Sequence, residues 1–264
     1  MEDNSFDESN IKPSDYLKTL ERSIGVLKSF NGKSALTVNE SANITGHSKP
    51  FTRRVFVTLQ KMGYMKSDNG KFSFTPKIMT FGNTFSDSLK IWDSMVPYLE
   101  ELSYKLNEST SIAILDDTEI IYIERVTVNN IMNETLGKGT RLPAHATSVG
   151  KLLLSHLDEG KLKQYFNRSS MHAFTEKTIS TENELREQLD QIRINNWVVN
   201  KDELEIGLIS MAAPIFDING NVVAAVNCVT HSGRCSLEEA KEKYLPELQK
   251  TAQKITEKIN LAIT

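Results

Sequence analysis

The sequence predicts two domains, a small helical domain that ends in a β-hairpin and a larger α+β domain. Three observations predict this division. Three helical patterns precede an Asn-Gly turn signal, helical and strand-like segments are mixed from about residue 92 onward, and positive charge is concentrated near the N-terminus. Residues 19–80 contain ten lysines and arginines and three acidic residues, a formal charge of +7 in a chain whose total is −3. Such an asymmetry is typical of a nucleic-acid-binding domain joined to a domain that does not bind nucleic acid.

The first part of the chain contains a polar tail and two helical patterns. Residues 1–15 are polar and acidic and have no periodicity, so we expect a disordered tail. Residues 18–30 form an amphipathic pattern that predicts the first helix. Its apolar residues are Leu20, Ile24, Leu27 and Phe30. Thr37 and Glu40 match a capping box, which predicts a second helix that ends near Ile44.

A third helix is predicted after a tight turn at residues 45–47. Ser48 is a favourable N-cap, Pro50 is tolerated in the first turn, and Gly63 ends the helix. The predicted buried stripe consists of Phe51, Val55, Leu59 and Met62. The opposite face would present Lys49, Arg53, Phe56 and Gln60, with Arg54 and Lys61 beside them. A charged face of this kind can be merely solvated, but a helix in this position can also lie in the major groove of DNA.

A β-hairpin is predicted directly after the third helix. Residues 64–67 and 71–75 are strand-like and flank an Asp-Asn-Gly turn at 68–70, and Asn-Gly is a strong signal for a two-residue type I′ turn. Three helices followed by such a hairpin make an all-α winged helix-turn-helix with a β-wing over residues 16–76. Residues 77–91 are then expected to form a linker helix.

Residues 92–264 are predicted to form the α+β domain. Helical patterns lie at about 93–107, 147–157, 182–195 and 236–262, and strand patterns lie at 111–115, 119–126, 208–216 and 222–230. Turn signals at Asp116-Asp117 and Asn219-Gly220 separate pairs of strands. Much of the sheet should therefore be antiparallel.

The sequence argues against several other classes of protein. The acidic N-terminus lacks the basic and apolar regions of a signal peptide, and no apolar run is long enough to span a bilayer, so we expect a cytoplasmic protein without membrane contact. Cys228 and Cys235 are expected to be free thiols. Motifs of common hydrolases, phosphate loops and Cys-x-x-Cys sites are absent, so we expect neither an enzyme nor a bound cofactor or metal.

Three segments of the sequence resemble the IclR family of bacterial transcription regulators. They are LTVNESANITGHSKPFTRRVFVTLQKMGY at 36–64, RLPAHATSVGKLLLS at 141–155 and ELEIGLISMAAPIFDINGNVVAAVNCVT at 203–230. The resemblance extends from about Leu20 to Ile259 and looks most like the branch that regulates protocatechuate and 4-hydroxybenzoate catabolism. His47 and Lys49 depart from the apolar residue and the arginine that are usual in the family.

The resemblance implies that the third helix and the wing bind double-stranded operator DNA. The residues expected to contact DNA are Ser48, Lys49, Thr52, Arg53, Arg54, Phe56, Gln60 and Lys71. Lys49, Arg53 and Gln60 would read base edges. Phe56 would touch a thymine methyl group, and Arg54 would hold a phosphate or pack against the protein.

The resemblance also implies a C-terminal α+β GAF-like effector-binding domain over residues 92–264. Its pocket would lie between the sheet and the helix that follows the RLPAH segment. The residues expected to bind the effector are Ile131, Arg141, His145, Ser148, Val149, Asn200, Ser210, Asn227 and Val229. The free amides at the start of the helix, at Ser148 and Val149, favour a carboxylate.

Two residues beside the pocket helix each have two interpretations. Gly150 either allows a ligand to approach the backbone closely or serves simple helix packing. Arg141 either recognises the carboxylate or forms a surface ion pair with Glu134 or Glu205.

The function implied by the resemblance is a DNA-binding regulator that forms a homodimer or a dimer of dimers. Its effector would be a small carboxylic acid of the protocatechuate, 4-hydroxybenzoate or β-ketoadipate class, and as an activator it would also contact RNA polymerase. The alternative is a repressor of the same architecture that responds to another carboxylate or to a metal ion, for which His145, Cys228 or His231 would have to converge. A metal-dependent hydrolase is disfavoured.

Overall fold

The computed structural model describes Lys12 and residues 16–81, 90–128 and 136–263. The chain divides into two compact units, Met1–Asp87 and Ser88–Thr264, each with its own hydrophobic core. Most of the expected tail, residues 82–89 of the expected linker helix, and Ile131 lie outside the described residues.

The described part of unit 1, the N-terminal unit, contains three α-helices and a small antiparallel sheet. Its elements are α1 (Lys18–Lys28), β1 (Leu36–Thr37), α2 (Val38–Thr45), α3 (Lys49–Lys61), β2 (Met65–Asp68) and β3 (Lys71–Phe74). The strand order is β1-β3-β2. The predicted hairpin of β2 and β3 is therefore confirmed, and the short strand β1, which was not predicted, extends it. A 3₁₀ turn, Pro76–Met79, follows the hairpin.

Local interactions set the ends of these elements as the sequence predicts. At the start of α2 the amide of Glu40 donates to the hydroxyl of Thr37 at 3.2 Å, and the amide of Thr37 donates to the carboxylate of Glu40 at 2.7 Å. Gly46 ends α2 with φ 68°. Asn69 and Gly70 form the hairpin turn with φ 47° and 78°, as a type I′ turn requires.

The core of unit 1 differs from the predicted helical stripes. Val26 and Phe30 are buried, but Leu20 and Ile24 are 57% and 44% exposed. The apolar spacing of the first turns of α1 therefore does not mark a buried face, because the packed part of the helix is its C-terminal end. Met62 is 52% exposed, since it lies at the C-cap, beyond the last turn that packs into the core.

Unit 2, the C-terminal unit, surrounds one six-stranded sheet with helices. Its strands are β4 (Ser109–Asp116), β5 (Glu119–Val126), β6 (Arg141–Pro143), β7 (Val198–Lys201), β8 (Leu208–Phe216) and β9 (Val222–His231). Its helices are α4 (Lys90–Asp93), α5 (Val96–Leu106), α6 (Ser148–Ser155), α7 (Glu159–Arg168), α8 (Glu182–Asn195), α9 (Leu237–Glu239) and α10 (Leu245–Ile263), with a 3₁₀ turn at Ala144–Ala146 and a π-helical turn at Ala240–Tyr244. The strand order is β6-β5-β4-β9-β8-β7, and every pair is antiparallel.

Helices cover both faces of this sheet. On one face α5 and α10 pack against large residues such as Ile112 and Met211. On the other face α6 and α8 pack over small residues, Ala113, Ala212 and Ala225, whose short side chains let a helix lie close to the strands. The face under α6 is therefore the one that holds the predicted pocket. None of the helices in the described residues is long and apolar enough to cross a lipid bilayer.

Candidate DNA-binding and effector-binding sites

The outward face of α3 presents polar and basic side chains. Lys49, Arg53 and Gln60 are exposed, and Arg54 is exposed beside them. Ser48 precedes the helix with an extended backbone, and its hydroxyl makes no cap hydrogen bond. Lys71 is exposed on β3 in the hairpin. These groups form a surface of the kind that binds phosphates and base edges.

Two residues expected to touch DNA lie instead in the core of unit 1. Phe56 is fully buried, and its ring centroid is 5.6 Å from that of Phe30 and 4.8 Å from that of Phe72. Thr52 is also fully buried, and its hydroxyl donates to the carbonyl of Ser48 at 3.2 Å. The buried residues of α3 are Phe51, Thr52, Val55 and Phe56. The expectation for Phe56 and Thr52 was wrong because the buried face is rotated towards Phe56 relative to the predicted stripe.

The start of α6 has two free backbone amides. Thr147 is the N-cap, and its hydroxyl accepts from the amide of Gly150 at 3.1 Å. The amides of Ser148 and Val149 have no acceptor within the described residues. Free amides at the positive end of a helix favour a negatively charged ligand.

Gly150 serves helix packing. A Cβ at this position would lie 2.2 Å from the carbonyl oxygen of Ala144, so any larger residue would push α6 away from the turn that precedes it. The structure therefore favours the packing interpretation of Gly150.

A row of polar side chains crosses the sheet beneath α6. Asn227 on β9 lies between Ser111 on β4 and Ala212 on β8. Val229, two residues on, pairs with Ser210, and Ser210 pairs with Asn200 on the edge strand β7. The structure thus brings the sequence-predicted residues Asn200, Ser210, Asn227 and Val229 together with Ser148 around one cavity.

The cavity is small. Its volume is about 20 Å³, room for about one water molecule. Tyr122, Leu142 and Leu204 complete its wall. An aromatic ligand would fit only if part of this wall moved.

Several buried polar atoms around the cavity lack a partner within the described residues. They are Oγ of Ser148, Oδ1 of Asn227, and Nε and Nη2 of Arg125. A buried polar group without a hydrogen bond costs about 1–3 kcal/mol, and more when it is charged. Such groups need an explanation, and a polar ligand that completes the site is one.

Tyr122 is an aromatic residue of the cavity wall and lies next to Arg125. The Arg125 guanidinium lies 5.1 Å from the centroid of the Tyr122 ring, and Nη1 of Arg125 donates to Oγ of Ser111 at 2.9 Å. Burial raises the pKa of the Tyr122 hydroxyl, although Arg125 and the side chain of Asn227 favour its ionised form.

Three residues expected to bind the effector do not line the cavity. Arg141 has a side chain that is 41% exposed and that pairs with Asp116 and Glu119 at 2.6 Å each. The expected partner Glu205 is therefore not the one observed, and Glu134 lies outside the described residues. His145 is buried, but its Nε2 lies 2.9 Å from the carbonyl oxygen of His172. Val149 packs in the core, so its amide alone remains available.

The sequence analysis did not predict the buried ion pair of unit 2. Lys151 is fully buried and forms an ion pair with Glu203, which itself lines the cavity. Asn200 is held between them and the backbone: its Nδ2 donates to the carbonyl of Ala146 at 3.0 Å, and its Oδ1 lies 3.5 Å from Nζ of Lys151. The sequence did contain a signal for such a pair, since Lys151 lies within the otherwise apolar segment of α6.

The described residues contain no cluster of three or more His, Cys, Asp or Glu side chains that could hold a metal ion. His145, Cys228 and His231 in particular do not converge on one such site. Cys228 and Cys235 are both buried free thiols.

Comparison with known proteins decides the family. Residues 84–257 match the family model for the C-terminal domain of the bacterial transcriptional regulator IclR. The chain belongs to the IclR family. Over 236 residues it is 36% identical to the Pca regulon regulatory protein of Pseudomonas putida, an alignment that covers 89% of this chain and 81% of that protein.

Another IclR-type relative is the p-hydroxybenzoate hydroxylase transcriptional activator of Acinetobacter baylyi, 30% identical over 251 residues that cover 93% of each chain. The fold is also that of an IclR homolog from Microbacterium hydrocarbonoxydans complexed with 4-hydroxybenzoate, with a TM-score of 0.79 over 92% of this chain and 99% of that chain at 22% identity. The IclR-family protein described here is a transcription regulator and not an enzyme.

Proposed function

We propose that this regulator binds operator DNA through unit 1, a winged helix-turn-helix, and binds a small aromatic carboxylic acid in the cavity beneath α6. The observation that carries the proposal is the set of unpartnered polar groups around that cavity, Oγ of Ser148 and Oδ1 of Asn227, next to the free amides that begin α6. An apolar cavity with a few placed polar groups is the usual form of a small-molecule site.

The DNA-binding part of the proposal rests on the exposed face of α3. Lys49, Arg53 and Gln60 point away from the core, while Ser48, Arg54 and Lys71 are placed to contact phosphates. Replacing Arg53 by alanine should weaken specific binding by about 1–3 kcal/mol, the value of one base contact, and should leave the fold intact. The operator would be selected from random duplexes and then footprinted. Lys241→Ala, which removes one exposed charge from unit 2, is the control, and normal footprinting by the Arg53 variant would exclude α3 as the reader.

The effector proposal names hydroxybenzoates and protocatechuate as the first candidates. Three features support them: the amides at the α6 start favour an acidic group, Asn227 and Ser210 supply uncharged hydrogen-bonding groups for phenolic oxygens, and Tyr122 offers an aromatic wall. The relative from Acinetobacter baylyi is named an activator for p-hydroxybenzoate hydroxylase, which favours an activator here.

A thermal-shift panel tests the effector. Hydroxybenzoates, protocatechuate, quinate, β-ketoadipate and glyoxylate would each be titrated, since a ligand that binds only the folded state raises the melting temperature. We expect a saturable rise with one aromatic acid that is absent in Ser148→Trp, which fills the cavity. No rise with any of these acids would refute the aromatic-acid effector and leave the DNA-binding proposal standing.

The remaining parts of the proposal concern assembly and context. A cytoplasmic regulator with a GAF-like effector domain would act as a homodimer or a dimer of dimers, and as an activator it would contact RNA polymerase. Transcription in vitro from the selected operator, with and without the acid, distinguishes an activator from a repressor. Repression that is relieved by another carboxylate or by a metal ion would instead favour the alternative, a repressor of the same architecture.

A further inference from the structure

Arg125 lies beside the effector cavity, outside the predicted sites, and it forms no ion pair within the described residues. It pairs with Ser111 on β4, and Ser111 in turn pairs with Asn227 on β9. The Arg125 side chain therefore lies on the face of the sheet that α6 covers, next to two residues of the cavity wall, Tyr122 and Asn227.

One nitrogen of the Arg125 guanidinium has a hydrogen-bond acceptor, and the other two do not. Nη1 donates to Ser111 at 2.9 Å, and the Tyr122 ring lies 5.1 Å away. Nε and Nη2 are buried and have no acceptor within the described residues. These two nitrogens form the side edge of the guanidinium, whose parallel N–H groups match the two oxygens of a carboxylate. The side chain as a whole is half-buried, but two buried cationic N–H groups without an acceptor are costly, and an anion at this edge would remove that cost.

We propose that the Nε and Nη2 edge of Arg125 binds the carboxylate of the effector. The inference rests on the proposed function and deepens it. It moves the carboxylate from the amides at the start of α6, where the proposed function places the acidic group, to the β5 wall, and those amides then donate to the phenolic oxygen. Oδ1 of Asn227 accepts from the effector hydroxyl, because Oδ1 is a buried acceptor that needs a donor. The cavity thus selects an acid that has both a carboxylate and a separate hydroxyl group.

The test compares a charged ligand with its neutral isostere. Binding of 4-hydroxybenzoate and of 4-hydroxybenzamide to the full chain would be measured by calorimetry for wild type and for Arg125→Gln. We expect the wild type to prefer the acid, and we expect the Gln variant to lose about 10- to 100-fold of that preference, as is typical for hydrogen bonds to a charged group. The preference of Arg125→Lys for the acid should lie between those of wild type and Arg125→Gln. Lysine keeps the positive charge but lacks the two parallel N–H groups of the guanidinium.

Two controls make the result decisive. Arg141→Gln removes a guanidinium from the neighbouring strand β6, where its partners are surface carboxylates, and should leave the acid-to-amide ratio unchanged. If Arg125→Gln fails to fold, Arg125→Lys carries the test. An unchanged ratio in the Arg125 variants would mean that the chain itself satisfies these nitrogens and would overturn the inference. If the wild type binds neither compound, the hydroxybenzoate proposal fails, and the Arg125 assignment fails with it.

Discussion

Lys151 and Glu203 form an ion pair inside unit 2, between α6 and the loop that joins β7 to β8. The lysine is fully buried, and the other carboxylate oxygen of Glu203 accepts from the amide of Ile179 at 3.1 Å. Glu203 also lines the effector cavity. The pair therefore holds three segments together at the wall of the cavity.

Replacing Glu203 by glutamine should destabilise unit 2 strongly. Lys151 would lose its carboxylate in a buried position, and removing one partner of a buried pair costs about 3–5 kcal/mol. Urea unfolding followed by tryptophan fluorescence measures this directly, because both tryptophans of the chain, Trp92 and Trp197, lie in unit 2. Glu205→Gln, the same change at an exposed position of the same loop, should change the free energy of unfolding little.

The double variant Lys151→Met and Glu203→Gln should recover part of the lost stability. Methionine places an apolar chain of similar length where the unpaired ammonium would be, and buried pairs are often replaced by apolar residues without loss. Equal stability of the single and the double variant would show that the charge of Lys151 is not what makes Glu203→Gln unstable.

Gly150→Ala should displace α6. The new Cβ would lie 2.2 Å from a backbone oxygen of Ala144, and the backbone cannot move aside as the end of a flexible side chain can. We therefore expect the free energy of unfolding to fall by at least about 1–3 kcal/mol and the effector response to be lost. Unfolding by urea and the thermal shift measure the two effects. Gly160→Ala is a matched control in α7, where the Cβ would meet only a side-chain oxygen of Asp158 at 3.2 Å, and it should remain within about 1 kcal/mol of wild type.

Local signals in the sequence predicted much of this fold. Strands β5 and β8 have the predicted limits, 119–126 and 208–216, and α8 begins and ends at the predicted residues 182 and 195. Alternation, capping residues and turn residues act over a few neighbouring positions, so they can be recognised without the partner elements. Strands β6 and β7 were missed because three or four residues are too few to show a period, and α7 was missed because its buried apolar residues are only Leu162 and Tyr165.

Side-chain roles at the sites depended on non-local packing. Which face of α3 is buried depends on the rings of Phe30 and Phe72, and these lie outside the helix. Likewise Arg141 and Arg125 are both arginines near the pocket segments, and only strand register places one against surface carboxylates and the other against Ser111. Spacing within one segment contains no information about such pairs.

Phe56→Ala should act on the fold of unit 1 and not on base recognition. The substitution empties a fully buried aromatic site, which costs about 3–5 kcal/mol, so DNA binding should be lost together with the structure. Limited proteolysis of the full chain measures this loss, since cleavage within unit 1 should accelerate. A folded Phe56 variant whose preference changes at one thymine would restore the sequence-based expectation that Phe56 faces DNA.

His145 should make the stability of unit 2 depend on pH. Burial lowers the pKa of its imidazole below the ordinary value of 6.5, Lys151 and His172 lower it further, and the His172 carbonyl and Glu203 oppose this. In the window between the folded pKa and 6.5 the unfolded chain binds more protons than the folded chain, so the free energy of unfolding falls as pH falls through that window.

His145→Gln isolates this contribution, because glutamine can still donate to the carbonyl of His172 but does not titrate. Unfolding measured by tryptophan fluorescence between about pH 5 and pH 7.5 should therefore vary less steeply in the variant than in wild type. His172→Gln removes the exposed imidazole of His172, the smallest of the influences on the His145 pKa, and keeps the carbonyl, so it should retain most of the wild-type slope. A variant at His145 with the wild-type slope but no effector response would instead place this imidazole on the ligand, as the sequence alone suggested.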